Sequence, residues 1–288
     1  MKSEPLHVVI LGSGFVGRAV ADALSMRASI SVMDLPTHPP LASRGSEGRA
    51  LLLDELERTG ARAIVNSCGR LRGTDDELAE ANFEWPKWLA EVLEGSGVRL
   101  VHIGSASEYG DPGSSDPVPE SAAPHPSGAY GETKLAGTRA VLGARAGGLD
   151  AVVARGFNLV SPQLPEVSPL HQFVADVTAL PGEGGEVTLW WPSTVRDFIL
   201  VNDLAEAVAR LVLAPEVPDL VNVCSGVGIS FEEIVRAVAA SQGKQVTVRS
   251  LDRPGIEAVV GDCTRLIQCT GLAPAMSPEI MARNLAAA

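Results

Sequence analysis

Six residues near the N-terminus, Gly12-Ser13-Gly14-Phe15-Val16-Gly17, leave the first part of this chain few ways to fold. They follow the apolar run His7-Val8-Val9-Ile10-Leu11 and open a helical pattern from about Phe15. Glycines spaced G-x-G-x-x-G between a strand and a helix permit a tight turn. They also let backbone N–H groups approach a pyrophosphate at a helix N-terminus. The second strand-like run, Ile30-Ser31-Val32-Met33, ends in Asp34, 20 residues after Gly14. That is the spacing of a carboxylate that hydrogen-bonds an adenosine ribose. A carboxylate there repels a 2′-phosphate, so Asp34 favours NAD(H) and leaves NADP(H) open, with Arg44 close enough in sequence to reach in.

Further apolar runs repeat the pattern at Ala63–Asn66, Arg99–Ile103 and Ala151–Ala154. A helical stretch from Asp75 to about Leu93, broken near Pro86, and another from about Ala129 to Ala144 lie between them. Strands separated by helices pair in parallel through right-handed crossovers. Runs without strict alternation suit strands buried on both faces. The expected class is α/β, a Rossmann-type doubly wound parallel sheet. After Asn158 the rhythm changes: prolines at 162, 165 and 169 interrupt the chain. A turn is expected at Gly182–Gly185, a strand at Val187–Trp190, and helices at Asp203–Leu213 and Ser230–Ala240. The organisation predicted is a cofactor domain over 1–160 with parts of 195–225, and a smaller, interleaved C-terminal substrate lobe over 161–194 and 226–288.

Composition removes other classes. With 23 basic and 35 acidic residues in 288, the net charge is −12. An acidic surface without basic runs does not suit nucleic acid or anionic lipid. No run approaches the ~20 apolar residues of a membrane span, and the first residues lack the apolar core and cleavage site of a secretory signal. The four cysteines are scattered without a C-x-x-C pair. This pattern reads as reduced thiols in a cytoplasmic protein, with no metal site.

A chemical site is suggested by Tyr130-Gly131-Glu132-Thr133-Lys134. Tyr and Lys at i and i+4 share a helix face. An ammonium beside a phenol stabilises phenolate, which would bring Tyr130 toward neutrality as a general acid/base for carbonyl–alcohol interconversion. Ser105 closes the fourth strand, at the end that faces the cleft in a parallel sheet. It is placed to hydrogen-bond a reacting oxygen.

Together the glycine loop, Ser105 with Tyr109-Gly110, and Tyr130-x-x-x-Lys134 resemble the extended short-chain dehydrogenase/reductase family of nucleotide-sugar epimerases, dehydratases and reductases. The likeness continues at Arg155–Pro162, Arg196–Asp203, Val221–Gly226, Arg253-Pro254-Gly255 and Thr270–Pro274, covering nearly the whole chain in order. The resemblance implies that Ser105 and Tyr130 polarise and protonate a sugar oxygen. It implies that Lys134 binds the nicotinamide ribose and tunes Tyr130. Cys68 and Gly69 join Gly12, Gly14, Phe15, Val16, Gly17, Asp34, Tyr130 and Lys134 as cofactor contacts. Asn158, Arg196 and Arg253 fall where the family holds a sugar-nucleotide diphosphate, for which guanidinium is suited. A homodimer through helices at about 78–93 and 135–144 is implied by the family alone.

The sequence departs from the family pattern in places. Leu11 replaces a glycine, Ser161 replaces the glycine before Pro162, and Trp190-Trp191-Pro192 stands where a glycine-containing turn is common; it would either reshape the sugar or base pocket or simply pack. Sugar 4,6-dehydratases of this family carry an Asp-Glu pair after the catalytic hydroxyl, where this chain has Ala106 and Ser107. Two chemistries remain. One is reduction of a nucleotide-diphospho-4-keto-6-deoxyhexose, as in the 4-ketoreductases of antibiotic sugar pathways, which the segments 66–73 and 130–139 most resemble. The other is 4-epimerisation through a transient ketone. A non-catalytic binding protein of the same fold is a third reading, against which Ser105, Tyr130 and Lys134 argue.

Overall fold

The computed structural model describes residues 6–34, 44–164, 168–251 and 255–285. The first half alternates strand and helix: β1 (His7–Leu11), α1 (Phe15–Leu24), β2 (Ser29–Met33), α2 (Ser46–Thr59), β3 (Ala63–Asn66), α3 (Asp75–Ala79), α4 (Trp85–Leu93), β4 (Arg99–Ser105), α5 (Ala129–Ala146) and β5 (Ala151–Gly156). The chain continues through β6 (Asn158–Val160), α6 (Pro169–Ala179), β7 (Gly184–Leu189), β8 (Val195–Leu200), α7 (Val201–Leu213), β9 (Leu220–Val223) and β10 (Gly228–Ser230). It ends with α8 (Phe231–Ser241), β11 (Gln245–Ser250), β12 (Ala258–Val259), α9 (Thr264–Thr270) and α10 (Pro278–Leu285).

Six strands form one parallel sheet in the order β2-β1-β3-β4-β5-β9. Strands buried on both faces need apolar residues at every position, which is how β1, β3 and β5 read. On one face Val8, Ile10, Val65, Val101 and Ala154 pack under α1 and α7. On the other, Val9, Leu11, Ile64, Leu100 and Val153 pack under α2, α4 and α5. Each such side chain contributes about 1.5–3 kcal/mol on full burial. The order reverses between β1 and β3, so their C-terminal ends open a crevice where ligands bind in sheets of this kind.

The second lobe is built around β8. It pairs antiparallel with β10 and parallel with β6 and β12, while β7 pairs in parallel with β11. Leu189, Phe198, Ile229, Ile234, Val238 and Met281 form its core. The two lobes are interleaved, because α7 and β9 return to the first sheet. Among the described residues no helix is long and apolar enough to cross a membrane.

Three sequence expectations are revised. The break near Pro86 lies upstream, as a π-helical turn at Glu80–Glu84 joining α3 to α4. Pro86 has no N–H to offer the Asn82 carbonyl. That carbonyl instead lies against Gly137 of α5, where a Cβ would collide with it. The glycine-rich turn is shorter than expected, since β7 already begins at Gly184. Leu220–Val223, of which the sequence showed only the family likeness beginning at Val221, form an edge strand of the main sheet.

Candidate active site

The glycine loop is shaped by three different demands. Gly12 adopts φ +102°, and a Cβ there would lie 2.8 Å from Ser67 Oγ. Gly17 packs so closely on the Gly12 carbonyl that a side chain would collide with it. Gly14 is the N-cap residue of α1, has no side-chain cap, and has open space around its Cβ position. A loop tight at two glycines and open at the one facing the helix N-terminus fits a pyrophosphate. Leu11, the departure from the family pattern, is fully buried beneath the sheet's helices. Phe15 and Val16 face the cleft.

After β2, Ser13 Oγ donates to Asp34 Oδ2 (2.6 Å) and Arg18 Nη1 donates to the Ser13 carbonyl (2.8 Å). Arg44 makes a two-pronged ion pair with Glu80, at 2.9 Å for its Nη2. Its guanidinium is thereby committed to the helical segment after β3.

A cleft of about 660 Å³ runs from this loop to the second lobe. It gathers Phe15, Cys68, Gly69, Ser105, Tyr130 and Lys134 with Asn158 and Arg196. Tyr130 and Lys134 lie in α5, which approaches the turn after β4 so closely that a Cβ on Gly131 would be 2.7 Å from the Ser107 carbonyl. The approach sets Tyr130 in the cleft together with Ser105. Lys134 Nζ donates to the Ile103 carbonyl (2.6 Å). Burial pulls the Lys134 ammonium below its ordinary value, with Glu108 acting in the opposite sense. Burial raises the Tyr130 phenol above its ordinary value, and the Ser105 hydroxyl partly offsets the rise. Burial is thus the largest influence on the Tyr130 phenol, opposite in sense to the lowering expected from Lys134. Cys68 is partly buried; desolvation, reinforced by the Asp34 carboxylate and opposed by Lys134, pushes its thiol up to about 12.

At the other end, Asn158 Nδ2 donates to the Asp197 carbonyl (2.7 Å). Arg196 Nη1 donates to the Val195 carbonyl (2.8 Å) and both its terminal nitrogens reach the Ile256 carbonyl (3.3 Å). These bonds hold the guanidinium on the cleft wall. Arg253 lies outside the described residues. Trp190 and Trp191 stack 5.7 Å apart near Gly255 but are not among the residues lining the cleft.

Several supporting residues carried no signal of their own in the sequence. Glu108 is fully buried. It accepts from the Ser105 N–H (2.7 Å), from Thr138 Oγ1 (3.0 Å) and from Arg155 Nη2 (2.7 Å). Ser107 Oγ lies 2.8 Å from Ser105 Oγ. Asn66 Oδ1 accepts from Cys68 N–H (3.2 Å) and Trp85 Nε1 (3.0 Å), so its amide nitrogen faces His102 Nδ1 (3.1 Å). Burial keeps His102 neutral. Asn82 clasps both backbone groups of Arg70 at 2.9 Å. Asp197 accepts from Ser225 N–H and Oγ and from the Gly226 and Gly261 N–H groups, tying β8 to the turn after β9 and to the segment after β12.

Known proteins share this fold. A dTDP-6-deoxy-L-talose 4-dehydrogenase (NAD(P)(+)) from Kitasatospora kifunensis is 29% identical over 269 residues, covering 88% of this chain and 84% of that protein. RMD from Pseudomonas aeruginosa, solved with NADPH, superposes with a TM-score of 0.81 at 21% identity, over 98% of this chain and 97% of that one. WbmG from Bordetella bronchiseptica, solved with NAD and UDP, gives 0.80 at 22% identity, over 100% and 95%. Residues 8–224 match the NAD dependent epimerase/dehydratase family, a span that contains the glycine loop, Ser105, Tyr130 and Lys134, and the chain belongs to that family.

Proposed function

We propose that the protein reduces the 4-keto group of a nucleotide-diphospho-4-keto-6-deoxyhexose, favouring NAD(H), with NADP(H) as the alternative donor. The observation that carries this reading is the cleft that brings Ser105, Tyr130 and Lys134 together, with Ala106 and Ser107 where a dehydratase would place its acid pair. A phenol is a proton donor, which suits reduction of a carbonyl.

A reduced nicotinamide, when bound, supplies the hydride. Gly12, Gly14 and Gly17 shape the loop for its pyrophosphate, and Asp34 meets the adenosine ribose. Phe15, Val16, Cys68 and Gly69 line the space beyond, and Lys134 meets the nicotinamide ribose. Ser105 holds O4 of the sugar, so the negative charge developing there meets a donor. Tyr130 then gives its proton to that oxygen. Asn158, Arg196 and, from sequence alone, Arg253 take the diphosphate. The name of the Kitasatospora relative, a 4-dehydrogenase of a dTDP-6-deoxyhexose, supports 4-keto/4-hydroxy chemistry. The UDP bound to WbmG supports a nucleotide substrate.

The Ser13–Asp34 contact favours a second reading. A ribose-binding carboxylate suits an NAD that stays bound and is recycled, as in a 4-epimerase. One experiment separates the two. The protein is mixed with dTDP-, UDP- or GDP-4-keto-6-deoxyhexoses and NADH or NADPH, the loss of reduced nicotinamide is followed, and product stereochemistry is determined. Stoichiometric oxidation supports the reductase. Interconversion of 4-hydroxy epimers without net oxidation supports the epimerase.

A further inference from the structure

Ser67, the first residue after β3, sets its side chain against the glycine loop. Its Oγ lies 2.8 Å from where a Gly12 Cβ would stand and 2.7 Å from the corresponding point on Gly17. The hydroxyl donates to the Leu11 carbonyl (2.8 Å) and shares its proton with the Gly12 carbonyl (3.2 Å). Carbonyl oxygens only accept, so the sense of both contacts is fixed. The Ser67 N–H donates to the same Leu11 oxygen (2.9 Å).

These contacts bear on one peptide plane. The Gly12 carbonyl is turned onto Gly17, so close that a side chain there would collide with it. The bond is trans, so the Ser13 N–H points the opposite way. Among the described residues that N–H donates to no protein acceptor. The N–H groups of the first turn of α1 have no side-chain cap either, because Gly14 stands at the N-cap. Gly12, at φ +102°, permits this orientation, but glycine enters positive and negative φ about equally and does not select it. With the plane turned over, a carbonyl oxygen would stand where an anion needs a donor. The Ser67 hydroxyl, on the carbonyl side, favours the plane as it is.

We propose that Ser67 is a positioning residue for the dinucleotide pyrophosphate: its hydroxyl holds the Gly12–Ser13 peptide with the Ser13 N–H offered to the phosphates. Ser67 acts through the backbone and does not touch the phosphates itself. The inference rests on the dinucleotide reading of the loop, which the reductase and the epimerase share.

The test uses Ser67→Ala, which loses the hydroxyl and keeps the N–H bond to Leu11. In fluorescence titrations NADH, and ADP-ribose competing with it, should bind about three- to tenfold more weakly, the loss of one ordinary hydrogen bond. Adenosine, which competes at the same site without a pyrophosphate, should stay within about twofold of the parent, since no phosphate contact is at stake. Unchanged ADP-ribose affinity overturns the proposal. So does an equal loss for adenosine and ADP-ribose, which would make Ser67 a packing residue for the whole pocket. The second readout needs no ligand. The Gly12 N–H bonds to the Met33 carbonyl (2.9 Å), and its hydrogen exchange should quicken in Ser67→Ala while the amides of β8 keep their rates. An unchanged Gly12 rate also overturns the proposal. If the unaltered protein binds neither NADH nor ADP-ribose, the dinucleotide reading falls, and the Gly12 exchange rate alone decides whether Ser67 holds the peptide.

Discussion

Glu108 and Arg155 form a buried ion pair directly beneath the end of β4, with both Arg155 Nε (3.1 Å) and Nη2 (2.7 Å) on one carboxylate oxygen. The other oxygen takes the Ser105 N–H and the Thr138 hydroxyl. The carboxylate is thus fully engaged away from the cleft, and its part in the site is to hold Ser105. Removing it leaves a buried guanidinium without its partner, which typically costs about 3–5 kcal/mol. Glu108→Ala should show this loss in urea unfolding. Stability within 1 kcal/mol of the parent would mean that water or another acceptor replaces the pair.

Cofactor choice is expected to follow Asp34. NADH should bind more tightly than NADPH in a fluorescence titration, since the carboxylate beside Ser13 repels a 2′-phosphate. Asp34→Ala should narrow or reverse the difference. Tighter NADPH binding by the unaltered protein would refute the assignment.

For the substrate diphosphate, Arg196→Met should weaken sugar-nucleotide binding by about 1.5–3 kcal/mol, the worth of a charged hydrogen bond, or roughly ten- to a hundredfold. Cofactor affinity should barely change. Calorimetry with UDP and dTDP measures both, and unaltered nucleotide affinity would remove Arg196 from this role.

On the chemical step, Tyr130→Phe keeps the ring and removes the proton donor. Single-turnover reduction should slow by ~10²–10⁴-fold while both ligands still bind. Tyr109 is the internal control. It is buried, donates to Asn222 Oδ1 at 2.7 Å and stacks on Arg155, so Tyr109→Phe should cost stability and leave turnover in place.

The pH dependence of stability should carry a contribution from Asp197. Burial raises this carboxyl from its ordinary 3.8 to about 6, against four donors that favour the ionised form. Between those values the folded protein binds a proton that the unfolded chain does not. This group therefore adds stability as pH falls through about 6, and that contribution is lost as pH rises from 4 to 7. Asp197→Asn should flatten this part of the profile. It should also destabilise at pH 7, because its amide nitrogen would face backbone N–H donors. Urea unfolding of both proteins at several pH values checks the sign.

The glycine loop and the Tyr130–Lys134 pair were legible because their spacing is dictated locally, by one turn and one helical repeat. Arg196 and Asn158 were legible through family motifs, and both line the cleft. Glu108 was not legible. Its partners come from β4, β5 and α5, and only the folded sheet brings Ser105, Thr138 and Arg155 to one carboxylate. The burial of the Tyr130 phenol was hidden for a similar reason: spacing relates it to Lys134 but does not show how deeply the fold encloses it. The π-helical turn also escaped, since a proline announces that a helix will be disturbed but not on which side the chain will absorb it.

That turn has a mechanical consequence. Asn82 sits in it, with its carbonyl against Gly137 on the outward helix pair and its side chain clasping Arg70 on the rim of the cleft. The α4–α5 layer and the loop carrying Cys68 and Gly69 are thereby geared to a single residue. A load placed on that layer reaches the Cys68–Gly69 side of the cleft by a route that bypasses the sheet.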